Sequence, residues 1–266
     1  MFNLCRRVAL AAGVMIASFG MPVSFGLPSS SGQAFAAEFS PAQKTEIETI
    51  IHSYLLEHPE VLREVSVELD RRQKLEEADL RTHAIDDNKQ ALFDSPFQAV
   101  VGNPKGKITL VEFFDYNCGY CKKALGDLAS LIKQEPELRV VLKDFPVLGP
   151  NSVEAAQVAS AARMQISGAK FWDFHQKLLM THGAVGKEQA LAVAKESGLD
   201  MDKLQKDMKD PSIRAGVEEI MKIADQLNLT GTPSYIIGNE VVVGAVGLDQ
   251  LKAKVDALGK CGKTAC

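Results

Sequence analysis

Two cysteines separated by two residues are the side chains of this sequence best suited to chemistry. Cys118 and Cys121 enclose Gly119 and Tyr120, directly after an apolar run that predicts a buried strand. A helix is predicted to begin at about Cys118. A cysteine at a helix N-terminus faces the positive end of the helix dipole and unpaired backbone N–H groups, which favour the thiolate. The pattern therefore predicts Cys118 as a nucleophile toward disulfides and Cys121 as the resolving thiol.

A metal site is the alternative interpretation of the same pair. Zinc with four protein ligands would need a second cysteine pair at compatible spacing, or histidines nearby. The five histidines all lie far from the pair in sequence: His52, His58, His83, His175 and His182. A metal-binding protein, for example a copper carrier that uses these cysteines, stays the rival hypothesis. Thiol exchange itself predicts no metal and no cofactor.

Glu112 is a second candidate, because it interrupts an apolar predicted strand six residues before Cys118. A buried carboxylate is costly unless it is paired or protonated. It is either a structural acid paired with a lysine or a group that moves protons at the site. The residue type and position leave both interpretations open.

Thr232 and Pro233 stand just before another short predicted strand. Most X–Pro peptide bonds are trans, so the local sequence favours an ordinary trans proline at the start of that strand. Cys261 and Cys266 lie in a polar segment that contains glycine. A local structural disulfide is expected for them in an oxidising compartment, and a second redox or copper-binding pair is the alternative.

The elements around these residues predict an α/β fold. Strands are expected at 97–101, 108–114 and 138–145, with a helix at 118–134 between the last two, which makes a βαβ unit. A helical block follows at about 151–228, then strands at 234–237 and 240–243 and a helix at 248–258. This order predicts an α/β domain over 96–266 with an inserted helical part.

Residues 37–95 are helical in pattern, highly charged and almost free of glycine, which predicts a separate helical arm. Its apolar residues recur at helical spacing: Ile47, Ile51, Tyr54, Leu55, Leu62, Val65 and Leu69. Solitary helices of this kind are marginal in water, so the stripe must be covered. It packs either on its own catalytic domain or on further copies of the chain, and self-association is the interpretation we favour.

The first 36 residues have no acidic residue, carry only Arg6 and Arg7 as charges, and continue into an apolar run. Ala34-Phe35-Ala36 is a typical cleavage pattern, so residues 1–36 are predicted to be a secretory signal peptide, with an uncleaved anchor as the alternative. Cleavage removes Cys5 and leaves four cysteines, an even number that suits export to an oxidising compartment. The net charge of −4 argues against a general nucleic-acid binder.

Several of these segments together resemble one protein family, the DsbA-type thiol–disulfide oxidoreductases. The similar segments are the run from Val111 to Cys121, Lys143-Asp144-Phe145-Pro146 with Leu148-Gly149-Pro150, and Thr232-Pro233 before a strand. They extend over about 97–258. The helical arm resembles the oligomerising arm of the ScsC branch.

The resemblance implies a thioredoxin-like fold with an inserted helical domain, working in the bacterial periplasm as an oligomer, with a trimer suggested by the ScsC branch. It implies a proton-relay role for Glu112 and a cis Pro233 opposite the cysteines, where neighbouring backbone pairs with an extended substrate. The implied partners are unfolded or misoxidised exported proteins and a membrane redox partner. Many members of the family have Pro-His between the cysteines, and Gly119-Tyr120 departs from that. The threonine at position 232 resembles the residue found in the isomerase and reductase branches more than that of the oxidase branch. The direction of the reaction therefore stays open.

Overall fold

The computed structural model describes residues 39–266, so the predicted signal peptide at 1–36 lies outside the described residues. The chain divides into two compact units, of which the first ends at Val61 and the second is Leu62–Cys266. Within residues 39–266, no helix is long and apolar enough to cross a membrane.

The first helix, α1 (Pro41–Glu57), begins at a complete capping box. The Ser40 hydroxyl accepts a hydrogen bond from the Gln43 backbone, and the Gln43 side chain accepts one from the Ser40 backbone. Pro41 occupies the first helical position, where its missing N–H costs nothing. The next helices are α2 (Glu60–Asp87) and α3 (Lys89–Phe93).

A five-stranded sheet forms the centre of the second unit. Its strands are β1 (Ala99–Gly102), β2 (Ile108–Phe114), β3 (Leu138–Asp144), β4 (Ser234–Ile237) and β5 (Glu240–Val243). They lie in the order β1-β3-β2-β4-β5; β2 and β3 are parallel and the other pairs are antiparallel. Helix α4 (Gly119–Gln134) connects the two parallel strands. The predicted βαβ unit and thioredoxin-like fold are confirmed.

Six further helices complete the unit. They are α5 (Pro150–Ala162), α6 (Gly168–Leu179), α7 (Lys187–Glu196), α8 (Met201–Asp207), α9 (Pro211–Gln226) and α10 (Leu248–Cys261). The predicted helical block at 151–228 thus contains five helices. Its last helix, α9, packs with β3 and α3, on the other side of the sheet from α4.

Both faces of β2 are buried, which explains why its sequence is almost continuously apolar. Leu110 and Phe114 point to the face covered by α4 and α10, in one core with Cys121. Val111 and Phe113 point to the opposite face, covered by α9 and α3. Side chains alternate along a strand, so Glu112 lies on the same face as Leu110 and Phe114.

Part of the predicted arm belongs to the core of the second unit. Ile85 of α2 and Leu92 of α3 are fully buried in the cluster that contains Val111 and Phe113. The core therefore begins before the boundary predicted at 95. Ala84, Ala91 and Phe93 pack against the same cluster. The contact is divided between the end of α2 and the short helix α3, so it forms no long stripe at helical spacing in the sequence.

The predicted stripe itself is exposed over most of its length. The exposed side chains are Ile47, Ile50, Ile51, Tyr54, Leu62, Val65 and Leu69, while Leu55 is half-buried. Each of the two helices thus carries exposed apolar residues at helical spacing, which suits association with a partner.

We expect Leu92→Ala to lower the free energy of unfolding by about 2–5 kcal/mol, because it opens a cavity in a fully packed cluster. The matched control is Leu80→Ala on α2, since Leu80 is 62% exposed and its truncation should cost no more than about 0.5 kcal/mol. Urea unfolding of the full chain measures both. Equal small losses for the two variants would contradict the assignment of α3 to the core.

Candidate active site

Cys118 and Cys121 lie at the N-terminus of α4, both as free thiols. Cys118 is the N-cap residue, and its sulfur accepts a hydrogen bond from the backbone N–H of Cys121 at 3.4 Å. Its thiol donates to the Thr232 carbonyl oxygen at 3.1 Å. Cys118 is 5% exposed and Cys121 is 0% exposed, so Cys118 is the sulfur that a substrate reaches first.

The Thr232-Pro233 segment lies next to Cys118. The peptide bond between the two residues is cis, in contrast to the trans proline that the local sequence favours. The Pro233 carbonyl accepts a hydrogen bond from the Gly244 backbone N–H at 2.8 Å, just beyond the end of β5. The loop before β4 is thereby fixed with the Thr232 carbonyl beside the Cys118 sulfur.

Glu112 is buried on the α4 side of the sheet, close enough to Cys121 to affect its ionisation. Burial raises the pKa of Glu112 from 4.5 to about 7, against a smaller opposing effect of the Tyr235 hydroxyl. That hydroxyl makes no well-formed hydrogen bond within the described part of the chain. Across residues 39–266 Glu112 forms no salt bridge, and Lys143 lies on the other face of the sheet. The carboxyl group is therefore placed to titrate near neutral pH.

Cys121 is the less reactive of the two thiols. Burial is the main cause that raises the pKa of Cys121 well above its usual value. The negative charge of Glu112 adds to this shift, whereas a hydrogen bond with the Asp115 backbone opposes it. A thiol in this environment needs a nearby base before it can act as a nucleophile.

Two lysines and an aromatic ring surround the opening of the site. Lys122 Nζ donates to the Thr181 carbonyl oxygen at 2.7 Å, and Lys123 Nζ lies 5.3 Å from the centre of the Tyr120 ring. Tyr120 is 65% exposed. Tyr120, between the cysteines, thus presents an exposed ring with the Lys123 charge beside it.

Lys143, which belongs to the second similar segment, has a different task. It is fully buried on the α3 side of the sheet, and its Nζ donates to the Ala91 carbonyl oxygen at 2.5 Å. Burial lowers the pKa of Lys143 to about 8, with Glu219 opposing the shift. This lysine attaches α3 to the sheet and takes no direct part in the site.

Sequence reasoning missed a loop of three residues between β2 and the nucleophile. Asp115 is buried, and its carboxylate accepts hydrogen bonds from the Asn117 backbone at 2.8 Å and the Leu148 backbone at 3.0 Å. Tyr116 and Asn117 also form side-chain bonds to distant residues. The available signal was two polar residues at the carboxyl end of a buried parallel strand, where α/β proteins place functional groups.

Cys261 and Cys266 are bonded to each other at the end of α10, and both are exposed. The structure thus separates them from the pair at the start of α4. Within residues 39–266, no three His, Cys, Asp or Glu side chains lie close enough together to hold a metal ion.

Comparison with known protein families identifies the domain. Residues 109–256 match the DSBA-like thioredoxin domain, which is more than half of the chain. Residues 43–76 match the Copper resistance protein ScsC N-terminal domain. The chain belongs to the DSBA-like thioredoxin family, and both resemblances predicted from the sequence are confirmed.

Solved structures agree with this assignment. A thioredoxin-like oxidoreductase from Silicibacter pomeroyi DSS-3 is 39% identical, with a TM-score of 0.62 over 65% of this chain and 99% of that one. The thiol-disulfide exchange protein alpha-DsbA2 from Wolbachia pipientis is 31% identical, with a TM-score of 0.63 over 68% of this chain and 97% of that one. A Proteus mirabilis ScsC linker-deletion mutant is 26% identical, with a TM-score of 0.63 over 85% of this chain and 100% of that one.

Some curated relatives are much longer than this chain. Na(+)/H(+) antiporter NhaA 1 from Salinispora arenicola is 28% identical over 158 residues, which are 59% of this chain and 24% of that protein. The chain therefore spans about a quarter of the length of such relatives. What is shared with them is one domain.

We expect the stability of the wild type to fall between pH 4.5 and 7, relative to Glu112→Gln. The folded protein keeps the Glu112 proton up to about pH 7, whereas the unfolded chain releases it near its ordinary pKa. The unfolded state binds fewer protons in this window, so rising pH lowers the free energy of unfolding, by up to about 3 kcal/mol. Glutamine has no proton to lose.

Urea unfolding at several pH values measures this difference. The control is Glu188→Gln on α7, where the side chain is exposed and the wild-type pH dependence should remain. If Glu112→Gln followed the wild type across the whole window, the assignment of a raised pKa to Glu112 would be wrong.

Proposed function

We propose that this DSBA-family chain is an exported thiol–disulfide oxidoreductase that exchanges disulfides with protein substrates through Cys118 and Cys121. The observation that carries the proposal is the position of Cys118 at the N-cap of α4, between the Cys121 N–H and the Thr232 carbonyl. The helix N-terminus and the Cys121 N–H present partial positive charge to the Cys118 sulfur, which suits a sulfur that attacks disulfides. The rival metal-carrier function has no comparable observation in its favour within residues 39–266.

Reduction of a substrate would take two exchange steps. The Cys118 thiolate attacks one sulfur of the substrate disulfide, which forms a mixed disulfide and releases the other sulfur as a thiolate. Cys121 then attacks the Cys118 sulfur, which closes the Cys118–Cys121 disulfide and releases the second substrate thiol. The substrate gains two electrons and the enzyme pair loses two. Oxidation of a substrate is the same sequence in reverse.

We propose that Glu112 accepts the proton of the Cys121 thiol in the second step. Cys121 cannot attack as a neutral thiol, and its burial opposes ionisation. Glu112 lies on the same face of the sheet and has a pKa of about 7, so it is suited to accept and return this proton at neutral pH. The two groups interact, so they would titrate as a pair.

We infer that the substrate binds as an extended chain along the loop before β4. The Thr232 backbone lies beside the nucleophile, where a substrate backbone could pair while its disulfide reaches Cys118. Unfolded or misoxidised exported proteins are chains of this kind. A membrane redox partner would restore the enzyme pair after each turnover.

We further propose that the arm assembles several copies of the chain in the periplasm, with a trimer as the suggested state. The exposed apolar stripe on α1 and α2 needs a cover, and residues 43–76 match the ScsC N-terminal domain. An assembly would hold several Cys118 nucleophiles around one substrate. A released thiol would then be recaptured at high effective concentration, which favours isomerisation.

Insulin reduction tests the proposed chemistry directly. The wild type should reduce insulin in the presence of a thiol donor, and Cys118→Ser should have no activity above the uncatalysed rate. The double variant Cys261→Ser/Cys266→Ser is the control, because it removes two cysteines that lie outside the site. Brief alkylation of the reduced protein should modify Cys118 before Cys121, since Cys121 is fully buried.

The metal-carrier hypothesis predicts the opposite result in these assays. Stoichiometric, tight copper binding by the wild type without any disulfide exchange would support a metal carrier. Preferential alkylation of Cys121 would refute the assignment of the nucleophile.

Substitution in the stripe tests the assembly. Ile47→Lys/Ile51→Lys should give a monomer in light scattering, because it places charge in the apolar contact. We expect this variant to keep simple dithiol exchange and to lose most of its isomerase activity on a scrambled-disulfide substrate. Point variants are preferred to deletion of residues 38–95, which would also remove Ile85 and Leu92 from the catalytic core.

The control for this experiment is Thr49→Lys, which places a lysine on the opposite side of the same helix, at an exposed position. It should leave the assembly intact. A wild type that is already monomeric at micromolar concentration would overturn the proposal.

A further inference from the structure

Asn117, the residue directly before the nucleophile, connects the active-site loop to the helical insertion. Its side-chain Nδ2 donates hydrogen bonds to the Ser152 hydroxyl at 3.1 Å and to the Val185 carbonyl oxygen at 2.9 Å. Its Oδ1 accepts a hydrogen bond from the Val185 backbone N–H at 2.7 Å. Both amide hydrogens of Asn117 are therefore used, and both partners belong to the inserted helical part.

The residue before Asn117 makes a second contact of the same kind. The Tyr116 hydroxyl lies 3.3 Å from His175 Nδ1 on α6, and both side chains are fully buried. Burial lowers the pKa of His175 to about 3, so the ring is neutral and the contact is a neutral hydrogen bond. The loop is thus bonded to the insertion through two consecutive side chains.

A third contact lies on the other side of the nucleophile. Lys122 Nζ, in the first turn of α4, donates to the Thr181 carbonyl oxygen at 2.7 Å. Thr181 and Val185 lie near the two ends of the short segment between α6 and α7. This segment is therefore bonded near both of its ends to residues that flank Cys118 in sequence.

These bonds are not easily replaced. Val185 is fully buried, so loss of the Asn117 amide would leave a buried N–H and C=O without partners. Asn117 also precedes the N-cap by one residue, and the N-cap backbone sets the direction of the Cys118 sulfur relative to the helix. Only one peptide unit separates Asn117 from Cys118, so a shift of the Asn117 backbone would also displace the Cys118 sulfur.

We propose that Asn117 is a positioning residue that holds Cys118 at the N-terminus of α4 by bonding the active-site loop to the inserted helices. The proposal rests on the proposed role of Cys118 as the nucleophile. It makes the reactivity of Cys118 depend on the inserted helices, which contribute no cysteine to the reaction. Ser152 acts only through Asn117.

The first test measures the alkylation rate of Cys118 in the reduced, folded protein by mass-spectrometric mapping. Asn117→Ala should slow this reaction on the order of tenfold at neutral pH, because small misplacement of a reacting group has large effects on rate. Ser152→Ala should slow it less. Adding Ser152→Ala to Asn117→Ala should have no further effect, since the contact is already lost.

The matched control is Asn103→Ala at the turn between β1 and β2. Asn103 also bridges backbone groups with its amide, since Nδ2 donates to the Pro136 carbonyl at 2.8 Å and Oδ1 accepts from the Lys105 N–H at 3.0 Å. It lies before β2, whereas Asn117 lies after it. Its loss should change the Cys118 rate less than about twofold, because the nucleophile loop keeps all its contacts.

The second test measures the thiol–disulfide equilibrium of the Cys118–Cys121 pair against glutathione. Asn117→Ala should move it several-fold toward the disulfide, because a displaced Cys118 loses the contacts with the Cys121 N–H and the Thr232 carbonyl that it makes in the reduced protein. Asn103→Ala should leave it unchanged. A residue with a merely structural role would lower stability without moving this equilibrium.

Three results would overturn the proposal: equal Cys118 rates for Asn117→Ala and Asn103→Ala, additive effects of Asn117→Ala and Ser152→Ala, or an unmoved glutathione equilibrium. If Asn117→Ala fails to fold, the Ser152→Ala variant alone decides. A lower alkylation rate of Cys118 in that variant supports the positioning role, and an unchanged rate refutes it. Absence of insulin reduction by the wild type would refute the proposed function only. The alkylation rates would still test the positioning.

Discussion

The burial of β2 on both faces is the constraint on which the arrangement of the site depends. Val111 and Phe113 pack under α9 and α3, while Leu110 and Phe114 pack under α4 and α10. A strand held from both sides cannot shift along its axis without exposing apolar side chains or placing them on the wrong face. Its carboxyl end is therefore a fixed point, and the loop that follows places Cys118 at the N-terminus of α4.

Two buried ionisable groups of the sheet have opposite relations to this site. Glu112 shares a face with Cys121 and titrates near neutral pH because burial disfavours its charged form. Lys143 lies on the other face, where its ammonium group binds the Ala91 carbonyl and keeps α3 in place. The alternation of side chains along neighbouring strands places Glu112 on the face of the cysteines and Lys143 on the face that holds α3.

The N-terminal helices combine two kinds of surface. The end of α2 and the whole of α3 contribute Ile85 and Leu92 to the catalytic core. Farther toward the N-terminus, large apolar residues such as Ile51 and Val65 remain exposed at helical spacing. The same charged, helical segment thus contains apolar residues of two kinds. Some are buried in the core, and the others are exposed on the surface.

The sequence by itself determined the order of elements and the nucleophile candidate, because each has a local signal, while the resemblance of its motifs to a known family implied the thioredoxin-like class. Apolar runs indicate buried strands, and two cysteines at a strand–helix junction indicate thiol chemistry. Three features depended on the tertiary structure. The face on which Glu112 lies relative to Lys143 follows from strand register. Leu92 belongs to the core because it packs in a cluster with residues distant in sequence, and the bonds of Asn117 also join residues far apart in sequence. Contacts between distant segments produce no periodic pattern in the sequence. Only the folded arrangement of β2, α4 and the inserted helices could therefore show these contacts.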